Sequence, residues 1–181
     1  MKAKLKRWLA EFYLRRSRVE FSDVPYFFGR PWPRFEVEGT LRLGREICFR
    51  EARMPIALTV RDGATMEIGD GCYFNDGVNI CATERVVVGD HCLIGSYVTI
   101  YDTDFHVVTP KDQVVKRPVT IGRNVWIGDR VQVLAGATIG DHSVIGAGAI
   151  VRGAIPPRVV AAGVPAKVIK EFECPDDWIR Q

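Results

Sequence analysis

The chain has 181 residues, of which 47% are hydrophobic and 26% charged, and its formal net charge is +3. This length and balance are typical of one globular domain and exclude a low-complexity or disordered chain. No apolar run approaches the ~18 residues of a membrane-spanning helix, and the basic N-terminus lacks the apolar segment of a secretory signal, so we expect neither.

Basic residues are concentrated at the N-terminus. Residues 1–18 carry seven basic side chains and one acidic side chain, a local charge of +6, so the remaining 163 residues sum to −3. Because the body of the protein is slightly acidic, nucleic-acid binding is not expected. Residues 2–16 predict an amphipathic helix, with apolar side chains at spacings of three and four, namely Leu5, Trp8, Leu9, Phe12 and Tyr13. Residues 21–35 are rich in aromatic residues and proline and predict a connector that is not regular helix.

A six-residue period dominates the chain from Ile121 onward. Each repeat opens with a branched aliphatic residue, its fifth position is mostly small or β-branched, and the register holds for 36 residues. The first positions are Ile121, Ile127, Val133, Ile139, Ile145 and Val151. Two further sets begin at Ile68 and Val88, separated by a two-residue slip at 84–85, and the pattern is degenerate before Ile68. Glycine often follows the aliphatic residue, and we expect it at corners whose backbone conformation disfavours a Cβ.

A period of six fits neither a helix nor a simple alternating strand. It predicts an all-β solenoid whose triangular coils each hold three short parallel strands and 18 residues. We therefore divide the chain into an N-terminal helix and connector (1–40), a β-helix domain (41–170) and a short C-terminal tail (171–181). Ile100 and Ile121 are 21 residues apart, three more than one coil, so a loop at about 102–119 leaves the solenoid.

The three histidines fall into two groups. His91 and His142 occupy the fourth position of a repeat, which predicts a solvent-facing turn with a structural role. His106 lies outside the repeat frame, inside the protruding loop, where a rigid scaffold commonly presents reacting groups. The five cysteines form no CxxC pair and no metal-ligand spacing, which indicates free thiols in a reducing, cytoplasmic setting and no metal site. Of these, Cys72 and Cys92 fall at inward-facing positions.

The sequence TIGRNVWIGDRVQVLAGATIGDHSVIGAGAIVRGAIPPRVVAAGVPAKVIKEF resembles the C-terminal coils of galactoside, maltose and related sugar O-acetyltransferases. The loop beginning YDTDFH resembles the histidine-bearing loop of that group, especially of members that act on surface polysaccharides. The similarity covers roughly residues 60–172. It implies a left-handed parallel β-helix, a homotrimer, acetyl-CoA as co-substrate, and active sites in clefts between subunits. The function expected from it is acetyl transfer to a hydroxyl of a sugar or surface-glycan precursor.

The resemblance makes His106 the candidate general base, because an alcohol that attacks a thioester must lose its proton and an imidazole can take it near neutral pH. Either Asp102 or Asp104 could orient the histidine ring, or simply cap the loop. Asn75 and Asp76 lie where the family carries acceptor-binding polar residues. The family often has a second asparagine two places after the first, where this chain has Gly77, so the acceptor itself stays open.

The donor-binding residues implied by the resemblance lie in the later coils. Trp126 faces outward and either lines the pantetheine channel or contacts another subunit. The small residues 146–148 offer a bare coil face to pantetheine or to a neighbouring subunit, and three cations could pair with CoA phosphates or remain solvated. The full set is Trp126, Gly146, Ala147, Gly148, Arg152, Lys167 and Lys170. Arg152 stands where the family often has threonine.

Several alternatives remain open from the sequence. The same fold and base could N-acetylate a nucleotide-linked amino sugar, or the chain could be a non-catalytic trimeric scaffold, although the loop histidine favours an enzyme. A carbonic-anhydrase-like metal site needs three converging histidines, and the spacing of His91, His106 and His142 does not favour one. The basic helix either covers the open first coil, which a solenoid must shield, or rests on an anionic membrane surface as a peripheral contact through residues 2–18.

Overall fold

The computed structural model describes residues 2–29, 32–107 and 109–180. It consists of one helix, α1 (Lys2–Arg16), followed by 21 strands. In chain order the strands are β1 (Val19–Phe21), β2 (Tyr26–Gly29), β3 (Arg34–Val37), β4 (Thr40–Leu43), β5 (Cys48–Glu51), β6 (Ala57–Val60), β7 (Thr65–Ile68), β8 (Tyr73–Phe74), β9 (Asn79–Ala82), β10 (Arg85–Val88), β11 (Leu93–Ile94), β12 (Thr99–Tyr101), β13 (Val119–Ile121), β14 (Trp126–Ile127), β15 (Gln132–Val133), β16 (Thr138–Ile139), β17 (Val144–Ile145), β18 (Ile150–Val151), β19 (Ala154–Ile155), β20 (Val159–Ala162) and β21 (Lys167–Glu171).

Every third strand joins the same sheet, so the chain winds as a parallel β-helix. The first sheet has the order β1-β4-β7-β10-β13-β16-β19, the second β2-β5-β8-β11-β14-β17-β20-β21, and the third β3-β6-β9-β12-β15-β18. All neighbouring strands are parallel except β20 and β21, which are antiparallel. The solenoid thus has six complete turns and begins a seventh. The turns between sheets stack into three columns, which we call the first-to-second, second-to-third and third-to-first corners.

The repeat frame predicts which side chains point inward, and the structure confirms it. First-position Ile127 and fifth-position Val131 are fully buried, and the inward-facing thiols of Cys72 and Cys92 are buried as well. Each first-position residue pairs with its counterpart one coil away, as Ile94 does with Ile127 and Ile127 with Ile145. The core is therefore a set of columns, each burying one aliphatic side chain per coil, and this periodic burial drives the stacking.

Glycine at the second position is required for a different reason from the one expected. Gly122 does not have a positive φ; instead, a Cβ added to it would lie 2.1 Å from Asp141 Oδ1 and 2.9 Å from the Asp141 backbone nitrogen of the next coil. The left-handed backbone falls at the fourth position, where Asn124 has φ 54°, His142 φ 64° and Gly148 φ 70°. The second position therefore needs glycine for space, and the fourth position forms the bend.

The solenoid begins earlier than the expected boundary at residue 40. Strands β1, β2 and β3 form its first turn, so most of the predicted connector is coil. Aromatic rings fill the core here: the Phe27 and Phe49 ring centroids are 5.8 Å apart, and those of Phe49 and Phe74 are 5.3 Å apart. Because these rings replace the aliphatic residues of later coils, the six-residue pattern is not visible in this part of the sequence.

Helix α1 covers the first turn, but not with its expected apolar face. Ala10 and Leu14 are buried against the coil, and the Tyr13 hydroxyl donates to the Pro33 carbonyl at 2.7 Å. Four of the five residues in the predicted stripe stay exposed, with exposed fractions from 42% to 60%, namely Leu5, Trp8, Leu9 and Phe12. The prediction that this stripe packs on the coil is wrong, and the helix leaves an aromatic and aliphatic face toward solvent.

The basic side chains around this face are partly described. Lys6 donates to the Phe27 carbonyl at 2.9 Å, and Arg7 pairs with Asp23 at 2.6 Å. The side chains of Lys2 and Lys4 lie outside the described residues. No helix in the described part of the chain combines the length and apolarity needed to cross a bilayer.

Candidate functional site

The loop predicted at about 102–119 does leave the coil, at the third-to-first corner, between the end of β12 and the start of β13. Its two arms pair with each other: Thr103 and Lys116 form an antiparallel bridge, and Arg117 N donates to the Asp102 carbonyl at 2.9 Å. Near its far end, Thr109 N donates to the Asp112 carboxylate at 2.8 Å. The paired arms hold the base of the loop against the solenoid.

His106 sits directly beside this paired base. Its backbone N–H donates to the Asp104 carbonyl at 2.7 Å, closing a tight turn. At the centre of the turn, Phe105 has φ 60°, and its ring packs edge-on against Tyr101 with centroids 5.4 Å apart. The His106 side chain is exposed. The loop thus presents an accessible imidazole on a backbone fixed by hydrogen bonds and an aromatic contact.

Asp102 and Asp104 have different environments. The buried Asp102 carboxylate accepts hydrogen bonds from the backbone N–H groups of Thr83, Glu84 and Arg85 at 2.7–3.0 Å, and from the Thr83 hydroxyl at 2.9 Å. These donors belong to the corner where the repeat slips by two residues. Asp102 therefore fixes that corner and the root of the loop, and its oxygens are spent on this task. Asp104 is exposed beside His106.

An open cleft lies on the second sheet and at the second-to-third corner. Its volume is about 620 Å³, and its walls include Tyr73, Asn75, Leu93, Trp126, Asp129 and Arg180. The structure confirms that Trp126 faces outward, with 46% of its surface exposed. Trp126 pairs in register with Leu93 and with Val144, so an aromatic and aliphatic row follows the sheet. The cleft brings together Asn75, expected to contact the acceptor, and Trp126, expected to contact the donor.

Asp76 follows Asn75 in the same corner but is engaged by the protein. Its carboxylate accepts from the backbone N–H groups of Ala52 and Arg53, the latter at 3.1 Å. Burial acts to raise the pKa of the Asp76 carboxyl, but the backbone N–H groups at residues 52–54 and the nearby Arg53 hold it below its usual range. Asp76 therefore stabilises the corner that carries Asn75.

The residues expected to bind the donor divide between two corners. Gly146–Gly148 stack on the same second-to-third corner as Asn75, three coils further along and so about 14 Å away; a Cβ at Gly148 would meet nothing within 4 Å. Lys167 and Lys170 lie on β21 at the end of the second sheet and are exposed. Arg152 is elsewhere: it lines a pocket of about 250 Å³ with Asp104 and Arg117 at the third-to-first corner.

His142 overturns its predicted exposure. It is only 1% exposed, whereas His91 in the same corner column is half-buried. The Asn124 side chain lies between these two histidines in the column and contacts His142 Nδ1 at 2.8 Å. Burial, followed by the charges of Arg123 and Arg158, lowers the pKa of His142. The C-terminal residues cover this corner, and the Trp178 ring stacks on the His142 ring at 6.2 Å. The sequence offered no periodic signal for this contact.

Taken together, the predicted site residues occupy two separate corners of the prism. His106, Asp104, Asp102 and Arg152 share the third-to-first corner, whereas Asn75, Asp76 and Gly146–Gly148 share the second-to-third corner, beside Trp126. His106 is not among the described residues that line the cleft. A single copy of the chain therefore presents a base on one corner and a ligand-sized cleft near another.

Comparison with known proteins supports the sequence-based expectation. Residues 118–153 match the family "Bacterial transferase hexapeptide (six repeats)". Galactoside O-acetyltransferase of Escherichia coli (strain K12) is 45% identical over 113 residues, covering 61% of this chain and 56% of that protein. The chain spans little more than half the length of the curated relatives it matches.

Two solved structures share the fold over most of the chain. Galactoside acetyltransferase in complex with coenzyme A matches with a TM-score of 0.58 and 29% identity, covering 98% of this chain and 90% of the other. A hexapeptide-repeat acetyltransferase of Vibrio cholerae complexed with acetyl coenzyme A matches with a TM-score of 0.60 and 26% identity, covering 72% of each chain. The expected left-handed parallel β-helix is thereby confirmed.

Proposed function

We propose that this chain, a hexapeptide-repeat protein with the left-handed coil of the acetyltransferases it resembles, transfers an acetyl group from acetyl-CoA to a hydroxyl of a sugar or surface-glycan precursor. One observation carries the proposal: an accessible histidine is held on a rigid loop, on a scaffold that also carries an open cleft of ligand size. The similarity to proteins named O-acetyltransferases, and to a structure with coenzyme A, supplies the donor and the type of acceptor.

In the proposed reaction, neutral His106 accepts the proton of the acceptor hydroxyl as its oxygen attacks the thioester carbonyl. The negative charge that develops on the carbonyl oxygen requires a hydrogen-bond donor such as a backbone N–H of the coil face. Collapse of the tetrahedral intermediate breaks the C–S bond, and the imidazolium returns its proton to the CoA thiolate. The products are the acetyl ester and free CoA, and the histidine regains its starting form. Asp104, exposed beside His106, is the carboxylate placed to orient the ring.

The two-corner arrangement favours a homotrimer in which each site is shared. Three copies around a three-fold axis would bring the third-to-first corner of one copy against the second-to-third corner of its neighbour, since every copy makes the same pair of contacts in a closed ring. His106 of one copy would then face Asn75 and Trp126 of the next. The exposed Trp126 and the open Gly148 supply the apolar and close-packed surface that such a contact and a pantetheine arm both need.

Within this site, each residue has an assigned role. Asn75 binds the acceptor, on a corner stabilised by Asp76. Trp126 and the bare face of Gly146–Gly148 bind the pantetheine arm, and Lys167 and Lys170 pair with CoA phosphates at the end of the second sheet. Arg152, beside Asp104 in the loop pocket, contributes to the donor side from the copy that supplies His106.

The N-terminal helix supports a peripheral membrane contact. Its exposed face of Leu5, Trp8, Leu9 and Phe12 borders basic side chains, the combination that binds an anionic bilayer surface. The contact would bring the enzyme close to a lipid-linked acceptor on the cytoplasmic side, where the five free cysteines stay reduced. Sedimentation with anionic vesicles should fall sharply for Trp8→Glu, while binding of wild-type protein to neutral and anionic vesicles alike would contradict the electrostatic part.

The function is tested by incubating the protein with acetyl-CoA and a panel of sugars, nucleotide-linked amino sugars and lipid-linked glycans while free thiol is followed. We expect acceptor-dependent thiol release that falls by roughly 10²–10⁴-fold in His106→Ala, the usual contribution of a general base. His91→Ala, which removes a half-buried histidine from a different corner, is the matched control and should remain active. The productive acceptor distinguishes O- from N-acetylation. Failure of the wild-type protein to bind acetyl-CoA would contradict acyl transfer and favour a scaffold.

A further inference from the structure

The last residues of the described chain fold back across more than 50 positions of sequence to the first-to-second corner. Asn124 Nδ2 donates to the Trp178 carbonyl at 2.8 Å, and Asn124 Oδ1 accepts from Arg180 N at 2.9 Å. Arg158 and Arg123 both bind Asp176, through its carboxylate and its carbonyl respectively. We call residues 175–180 the C-terminal clip. The clip joins the end of the chain to a corner of the regular coils.

The contacts of Asn124 define which atoms of the corner donate. Because its Oδ1 accepts from Arg180, its Nδ2 must be the donor to both Trp178 and His142 Nδ1. His142 is thus neutral, with its remaining proton on Nε2. Trp178 stacks on the ring of this neutral histidine, so the corner is an organised support for the clip.

The clip delivers one cation to the wall of the cleft. The guanidinium of Arg180 lies over the Trp178 ring at 4.7 Å, and its Nη2 donates to the His142 carbonyl at 2.9 Å. Arg180 is also a wall residue of the cleft that contains Asn75 and Trp126. Three fixed contacts therefore hold a charged side chain at the edge of a ligand-sized space.

The positive charge of Arg180 is left unmatched by the protein. Its Nε is buried and has no hydrogen-bond partner among the described residues, and no carboxylate in the described part of the chain pairs with it. Asp129 lines the same cleft, but it caps the next corner, where its Oδ1 accepts from Ser96 N at 2.7 Å. A half-buried guanidinium with incomplete hydrogen bonding is stabilised when an anion binds beside it.

We propose that Arg180 is a phosphate-binding residue of the cleft and that the C-terminal clip exists to position it. The inference rests on the proposed function, in which one substrate, acetyl-CoA, carries phosphates and the other is a sugar or glycan that can carry one. The planar guanidinium suits phosphate oxygens, and the aromatic and aliphatic wall beside it suits the less polar body of the same ligand. Arg180 is separate from Lys167 and Lys170, which lie on β21.

The test compares wild-type protein with Arg180→Gln, Arg180→Lys and a control, Arg61→Gln, at an exposed position away from the cleft. Calorimetric titration uses CoA, dephospho-CoA, pantetheine and inorganic pyrophosphate as probes. Initial rates compare a neutral sugar acceptor with the same sugar bearing a phosphate. We expect Arg180→Gln to weaken phosphate-bearing probes by about 10- to 100-fold, the loss typical of a hydrogen bond to a charged group, with Arg180→Lys intermediate and pantetheine unaffected.

The pattern of losses identifies which phosphate is bound. If Arg180 contacts the 3′-phosphate, CoA binding falls to the level of dephospho-CoA; if it contacts the pyrophosphate, both fall together. A rise in KM confined to the phosphorylated acceptor assigns the contact to that substrate. Asn124→Ala, which releases the clip but keeps Arg180, should weaken the same probe in a protein whose circular dichroism is unchanged.

Two outcomes would separate this proposal from the proposed function. Unchanged binding of every probe and unchanged KM values in Arg180→Gln, in a protein that still transfers acetyl groups, would overturn the role of Arg180 and leave the function intact. Arg180-dependent binding of pyrophosphate or CoA in a wild-type protein that transfers no acetyl group would support the phosphate site and contradict the function.

Discussion

The first turns and the later turns of the solenoid reach the same fold with different cores. In the inner row of the second sheet, Phe27, Phe49 and Phe74 pack ring against ring, whereas Ile94, Ile127 and Ile145 continue the row with aliphatic side chains. The early turns are therefore stabilised by a few large side chains, and the later turns by many small ones at strict spacing. The strict repeat is one way to fill this coil, and a visible repeat is not a condition for the fold.

The largest difference between the two regions is expected when one core side chain is shortened. Phe49→Ala should lower the free energy of unfolding by about 3–5 kcal/mol, because it removes a fully buried ring that contacts Phe27, Phe35 and Phe74. Ile127→Val in the later turns should cost about 0.5–1.5 kcal/mol. Urea unfolding of both variants measures the contrast, and equal losses would contradict it.

Close stacking makes the later turns more sensitive to added volume. Gly122→Ala should cost about 1–3 kcal/mol by overpacking, since the new Cβ would meet Asp141 of the next coil. Gly148→Ala introduces a Cβ into open space, at a left-handed φ of 70°, and should cost about 1 kcal/mol from backbone strain alone. Thermal unfolding under one buffer condition compares the two, and a larger loss at Gly148 would reverse the assignment of second and fourth positions.

The two regions should also differ in pH dependence. Burial raises the pKa of the Glu51 carboxyl in the early turns to about 7. The native state then binds a proton more tightly than the unfolded state, so this contribution to stability is complete below about pH 4.5 and is lost as the pH rises through 7. Glu51→Gln, which keeps an acceptor for Ile56 N, should raise the free energy of unfolding at pH 8 and flatten this dependence.

His142 in the later turns has the opposite sign. Its lowered pKa means that the unfolded state binds the proton more tightly, so stability is complete above about pH 6.5 and is lost as the pH falls below that value. His142→Gln should remove this acid-side loss without changing the alkaline side. Unfolding curves at pH 5 and pH 8 measure both residues, and the same sign for Glu51 and His142 would contradict their assigned environments.

Much of the fold is readable from the sequence because burial in the later turns is periodic. The frame from Ile121 onward and the loop after Ile100 follow from spacing alone, and the frame also assigns Asn75 and Gly146 to one corner. The first turn is not readable, since its aromatic core has no six-residue period. The same limit explains helix α1, whose buried residues Ala10 and Leu14 carry a weaker signal than its exposed aromatic face.

The candidate site divides along the same line. His106 stands out because it lies outside the frame. The engagement of Asp102 with residues 83–85 depends on a contact between corners, which spacing does not encode. The clip is the extreme case, because its contacts join Asn124 to Trp178 and Arg180 across the tail, and nothing in the local sequence around Asn124 indicates them.

The central claim, that an acetyltransferase site is shared between copies, is tested most directly by mixing two inactive variants. His106→Ala keeps the cleft, and a second variant with Asn75→Ala and Trp126→Ala keeps the base. In randomly mixed trimers, about one quarter of the interfaces join an intact base to an intact cleft, so the account predicts recovery of about that fraction of wild-type acetyl transfer. Activity no greater than that of the two variants measured separately would contradict a shared site.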